Sequence, residues 1–171
     1  MYKQRFENFF ETQHQINYKP ETMYQMLKNI AIRNENNLAY EFQGKKTKYS
    51  ELINKIEVIA KALTAIGIRE NDVVTICMPN CPQAVDTFYA INRIGAVANM
   101  IHPLSAQSEI TFYLNLSKSK VILTLDQFYE KVVDARRDCE HQVIILVAHV
   151  SDELPIYLKS LYKIKAENKI C

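Results

Sequence analysis

Apolar residues recur along this chain first at helical spacing and later in short solid runs. Met23, Met26, Leu27 and Ile30 fall on one face of a helix that Pro20-Glu21-Thr22 opens and Asn34 to Asn37 ends. Leu38 to Gln43 reads as a strand, Gly44 turns the chain, and Lys46 to Tyr49 returns beside it as a hairpin. Ser50 suits a helix N-cap, with Glu51 in the first turn where the helix dipole favours a carboxylate. Leu52, Ile56, Ile59, Leu63 and Ile66 then step by 4, 3, 4 and 3 residues. That is a single helical stripe, and Gly67 suits the C′ position behind it.

From Val73 the pattern alternates between runs and helices. Val73 to Met78, Val97 to Ile101, Val121 to Leu125 and Val143 to Val147 are apolar at almost every position. Strands covered on both faces read this way. Between them lie three helical stretches. Asn80 is the expected N-cap of the first, which runs to about Arg93 and closes at Gly95. Ser105 or Ser108 caps the second, which ends near Leu116. Asp126 caps the third, whose buried face is Phe128, Val132 and Ala135. Right-handed crossovers turn this order into an α/β fold. Its sheet is mostly parallel and doubly wound, with helices on both faces, and a helix and a β-hairpin precede it. A last amphipathic helix is expected over 151–171, on Leu154, Leu158 and Leu161.

Glycine changes the picture most. Average usage of about 7% would give roughly 12 in a chain this long. There are three, Gly44, Gly67 and Gly95, all far apart. No Gly-rich phosphate cradle of the dinucleotide, P-loop or kinase kind fits within these 171 residues. The net charge of +2 gives no sign of a nucleic-acid partner. The longest solid apolar run, Val143 to Ala148, is six residues. A membrane-spanning helix needs about 18. MYKQRFENFFETQHQ contains no apolar signal core. Cys77, Cys81, Cys139 and Cys171 show no CxxC spacing and read as free thiols. A cytoplasmic protein is expected.

Few residues are candidates for chemistry. No GxSxG elbow, HExxH or paired-cysteine metal spacing occurs around His14, His102, His141 or His149. His141 and His149 flank the fourth run as solvated ends. Asp126, at the end of the third run, sits where a receiver domain carries its phospho-acceptor. That chemistry also needs a pair of acids after an earlier strand, and Val73 to Met78 is followed by Pro79-Asn80 instead. Asn80 and His102 lie just beyond strand C-termini, where open α/β sheets bind ligands, and are the candidate substrate-binding residues. No catalytic residue and no metal ligand is assigned. Lys45, Lys46 and Lys48 read as a solvated hairpin edge.

In order along the chain come Leu38-Ala-Tyr-Glu-Phe-Gln-Gly44, Lys48-Tyr-Ser-Glu-Leu52 and Ala62-Leu-Thr-Ala-Ile-Gly-Ile-Arg-Glu-Asn-Asp-Val-Val-Thr-Ile76. Met78-Pro-Asn-Cys-Pro82, Ile94-Gly-Ala-Val-Ala-Asn99, His102-Pro103 and Ser108-Glu-Ile110 follow. This series resembles the start of the adenylate-forming acyl-CoA synthetase (AMP-binding) superfamily. The tail Ser151-Asp-Glu-Leu-Pro155 is similar to fatty-acyl CoA ligases in particular. The resemblance implies an N-terminal extension over 1–19 and the family's first α/β subdomain over 20–150, with the C-terminal amphipathic helix over 151–171 ending a chain that is truncated relative to the family.

Such enzymes join a carboxylate to AMP with ATP and Mg²⁺, release pyrophosphate, and pass the acyl group to coenzyme A. The resemblance implies ATP, Mg²⁺ and coenzyme A for the full-length family. No cofactor is expected to be held by this chain, because the phosphate loop and the lysine-bearing C-terminal domain are missing. The expected partner is the remainder of a ligase, on the same or a separate chain, and self-association through surface meant for that remainder is compatible. The alternative is a stand-alone interaction or regulatory module that keeps the ligase scaffold.

Overall fold

The computed structural model describes residues 20–155 and 158–159. Helix α1 is Met23–Arg33, β1 Leu38–Phe42, β2 Lys45–Lys48, α2 Tyr49–Ala65, β3 Val73–Cys77, α3 Pro82–Arg93 and β4 Val97–Ile101. Then come α4 Gln107–Ser117, β5 Val121–Leu125, α5 Tyr129–Arg137 and β6 Ile144–Ala148. Single 3₁₀ turns follow β5 (Asp126–Phe128) and β6 (Val150–Glu153). Leu158 and Lys159 are helical. The rest of the expected tail helix, and the 1–19 extension, lie outside the described residues.

Strands β3 to β6 form a parallel sheet in the order β4-β3-β5-β6, and β1 and β2 form a separate antiparallel hairpin. Alternate side chains of the central strands serve two cores. Val74 and Ile76 of β3 and Val121, Leu123 and Leu125 of β5 meet Leu52, Ile56 and Leu63 of α2 and Ile91 of α3. Cys77 and Ile122 point the other way, onto Ile110 and Leu114 of α4 and Val132 and Ala135 of α5. The doubly wound arrangement is therefore present. The outer strands depart from the solid-run reading: Val97 and Met100 on β4, and Ile144 and Val147 on β6, are exposed because each strand has only one neighbour.

The chain reverses at β3. It runs out to β4 through α3, returns past β3 to β5 through α4, and continues to β6 through α5. The switch point therefore lies between the C-terminal ends of β3 and β5.

Several local expectations shift by a residue or two for identifiable reasons. The hairpin turn takes both Gln43 (φ +52°) and Gly44 (φ +84°). A two-residue hairpin loop of this kind needs positive φ at both positions, so Gln43 leaves the strand and Lys45 joins one. Helix α2 starts at Tyr49, before Ser50, because the Glu51 carboxylate accepts the Lys48 N–H at 3.1 Å. Helix α4 likewise opens after Ala106, whose N–H goes to Glu109 at 2.8 Å, with neither expected serine as cap.

The face of α1 differs more. Tyr24 and Ala31 are buried, while Met23, Met26 and Ile30 face out. Polar anchors decide the rotation. The Tyr24 N–H donates to Asn92 Oδ1 at 2.8 Å, its hydroxyl donates to Glu57, and the Arg93 guanidinium lies 5.5 Å from its ring centre.

Candidate functional site

The ligand-binding edge of such a sheet is formed by the residues just past each strand. After β3, Pro82 occupies the first helical position of α3, where its fixed φ is pre-set and its missing N–H costs nothing. The helix therefore begins one residue later than expected, with Cys81 as N-cap. Asn80 is displaced into the loop as an exposed side chain rather than a cap. It lines a cavity of about 390 Å³ with Tyr40, Phe42, Tyr49, Cys81 and Tyr89.

After β4, His102 is exposed, and its Nδ1 accepts the Leu104 N–H at 3.2 Å. Its loop is held from below by Lys131, which donates to the carbonyls of Pro103 (2.7 Å) and Ser105 (3.1 Å). His102 is not among the residues that line the Asn80 cavity. Adjacent strands thus carry the two candidates to the same edge of the sheet.

After β5, Asp126 accepts the Gln127 N–H at 2.9 Å and stands 3.2 Å from His149 Nδ1. It opens a 3₁₀ turn rather than a helix. His149 is tied further by Gln83, whose Nε2 donates to its carbonyl at 2.9 Å. The His149 ring is nevertheless exposed, as expected of a strand end, whereas His141 is half-buried with its Nε2 2.9 Å from the Ser119 carbonyl. Among the described residues no group of three or more His, Cys, Asp or Glu is gathered as a metal centre.

Sequence reasoning missed the densest polar cluster. Asp86 of α3 is 2% exposed. It accepts from the Tyr40 hydroxyl at 3.2 and 3.3 Å and lies 3.6 Å from Lys55 Nζ. Lys55, on α2, donates to the Tyr40 oxygen at 3.2 Å and to both Glu153 oxygens at 2.8 Å. Lys45 of β2 reaches Glu153 Oε2 at 2.9 Å and the Asp152 carbonyl at 3.2 Å, so it is no solvated edge lysine.

Burial pushes the Asp86 carboxyl up to about 6, against the pull of Lys55. Burial alone would lower the Lys55 ammonium, but hydrogen bonds to Glu153 and Tyr40 hold it above the ordinary lysine range. Burial also disfavours the Glu153 carboxylate, and the two lysines outweigh it, so Glu153 sits below its usual value. One sequence signal was available: Asp86 stands four residues from Pro82 and four from Ala90 on the buried stripe of α3.

The comparisons with known proteins agree on one family. The profile of the AMP-binding enzyme family matches residues 27–169. A long-chain-fatty-acid–CoA ligase of Bacillus subtilis is 27% identical over 158 residues, covering 92% of this chain and 28% of the ligase. The N-terminal domain of FACL13 from Mycobacterium tuberculosis superposes with a TM-score of 0.68 at 27% identity, over 76% of this chain and 34% of that one. A benzoate CoA ligase from Burkholderia xenovorans superposes at 0.71 with 16% identity, over 75% of this chain and 26% of that one, and shows the shared fold. The chain thus spans under a third of the length of the Bacillus ligase.

Proposed function

Since the chain belongs to the AMP-binding enzyme family, we propose that it is the N-terminal α/β portion of an ATP-dependent acyl-CoA synthetase, one acting on a fatty acid. Carboxylate and ATP would give an acyl-adenylate, and then a thioester with coenzyme A, in the complete enzyme. The observation that carries this reading is the match over 27–169 with the intact doubly wound sheet beneath it.

The described residues do not fit a triphosphate. All three glycines sit at turns or helix ends with positive φ, and none lies at the C-terminal edge of the sheet. That edge offers Asn80 and His102, the side chains of this portion that would face a ligand completed by the rest of the enzyme. No catalytic step is assigned to either. By this reading the subdomain occupies 20–150, and these 171 residues alone form no adenylate.

The partner is then the remainder of the ligase, in the same or a separate chain. No described helix is long and apolar enough to cross a membrane, and a cytoplasmic enzyme is proposed. A stand-alone interaction module is the second reading. It draws on the exposed apolar residues of the β4–α4 unit: Val97, Met100, Leu104, Phe112 and Leu116.

Carboxylate-dependent ATP–pyrophosphate exchange by the purified chain tests the first reading. No exchange above the enzyme-free rate is expected, and turnover would overturn the inactivity. In-frame codons downstream for a Thr/Ser/Gly-rich loop are expected as well, and a stop codon there would favour the module.

A further inference from the structure

Five elements converge on the Asp86 cluster. Tyr40 comes from β1, Lys45 from β2, Lys55 from α2, Asp86 from α3, and Glu153 from the turn after β6. The Lys55 ammonium is shared. It touches both oxygens of Glu153 at 2.8 Å and stands 3.6 Å from Asp86, so the two carboxylates compete for one cation. A cavity of about 460 Å³ lined by Lys55, Val58, Asp86, Leu123, Ala148 and Glu153 leads solvent to the cluster.

We propose that this cluster is an acid-tightened latch, in which protonation of Asp86 gives Lys55 over to Glu153 and clamps the segment leaving the sheet onto α2 and the hairpin.

The titratable groups around Asp86 are Tyr40, Lys55 and Glu153, with Cys81 at the start of its own helix and Lys45 on the far side of Glu153. Tyr40 and Cys81 are both held above their usual values, chiefly by burial, and Lys55 is raised, so none of the three changes charge between pH 5 and 8. Glu153 is held below its ordinary value and stays ionised at pH 5. Asp86 alone crosses its midpoint in this window. Its carboxyl is raised from 3.8 to about 6 when closed. Moving the Glu153 charge away and leaving Lys55 to Asp86 lowers that value, so the closed state is favoured at low pH and the advantage is lost as pH rises through about 6. A return all the way to 3.8 would make opening about tenfold rarer at pH 5 than at pH 8, and because Asp86 stays on the buried stripe of α3 when the turn lifts, tenfold is the upper limit.

Hydrogen exchange of the whole chain reads this at the Asp152 and Leu154 amides, which are bonded to the His149 and Ser151 carbonyls in the turn. After correction for intrinsic rates, protection is expected to rise measurably from pH 8 to pH 5, by at most about tenfold. Asp86→Asn should abolish that pH dependence, and His149→Gln, which removes the neighbouring imidazole, should keep it. Loss of the dependence in His149→Gln, or its persistence in Asp86→Asn, overturns the latch. Carboxyl ¹³C titration of the unmutated chain tests the same claim without a variant. A midpoint near 6 for Asp86 supports it, and one below about 4.5 sinks it.

Discussion

Thr75→Val removes one hydroxyl from the middle of the sheet and leaves its shape unchanged. Thr75 and Ser119 are both fully buried, and their hydroxyl oxygens lie 2.5 Å apart. Asn99 of β4 donates to Thr75 Oγ1 at 3.0 Å, and Ser117 stands 2.7 Å from Ser119. The chain of four groups joins β3, β4 and the α4–β5 connection. A buried partner left without its bond is worth about 1–3 kcal/mol. Ser119 keeps Ser117 here, and Asn99 keeps a 3.4 Å contact with Ser117, which places Thr75→Val in the lower half, at about 1–2 kcal/mol. Urea denaturation should show the midpoint falling with an unchanged slope, and Tm should drop about 2–4 °C for each kcal/mol. Combining it with Ser119→Ala completes a cycle. Because both changes sever the same bond, the double variant should lose about 1 kcal/mol less than the sum of the singles. Strict additivity, or a Thr75→Val protein within about 0.3 kcal/mol of the unmutated one, would refute the account of a shared buried network.

Two further outcomes follow from the packing of single residues. Gly67 (φ +98°) has open space where a Cβ would go, whereas a Cβ on Gly95 (φ +73°) would stand 3.0 Å from Glu70 Cγ. Alanine at Gly67 should cost only the left-handed backbone strain, about 1–2 kcal/mol, with Gly95→Ala costing more; thermal melts should show Glu70→Ala erasing the difference. The Cys77 thiol, fully buried and pushed up to about 11 by its apolar surroundings, should resist a disulfide reagent at pH 8 until the protein unfolds, while half-buried Cys139 reacts before it; equal native rates at these two, read by mass spectrometry, would contradict this burial.

The parts of this fold that could be read from the sequence are those where one physical rule acts alone. The solid runs at Val73 and Val121 became the central strands, where both faces are covered, while the equally solid runs at Val97 and Val143 became outer strands, because apolar content does not by itself order the strands in a sheet. Gly67 closed α2 where its positive φ required it. The misreadings came where a second interaction outranks the pattern. Met23, Met26 and Ile30 make a convincing apolar stripe, but the hydrogen bonds of Tyr24 to Asn92 and Glu57 turn α1 the other way. Asn80 is a better cap than Cys81 by residue type, but Pro82 fixes where the helix starts. Asn80 and His102 did reach the expected edge of the sheet. The Lys55–Asp86–Glu153 cluster was invisible because its members lie 31 and 67 residues apart in the sequence, and only the topology joins them.

The sheet order has a consequence for folding. β3 pairs with β4, the next strand made, and also with β5, whose last residue is Leu125. Between the docking of β4 and the arrival of β5, one side of β3 offers its bare amides and carbonyls to any passing strand. Slow packing of α4 and β5 would prolong that exposure, and a folding chain is most open to association with other strands in that interval.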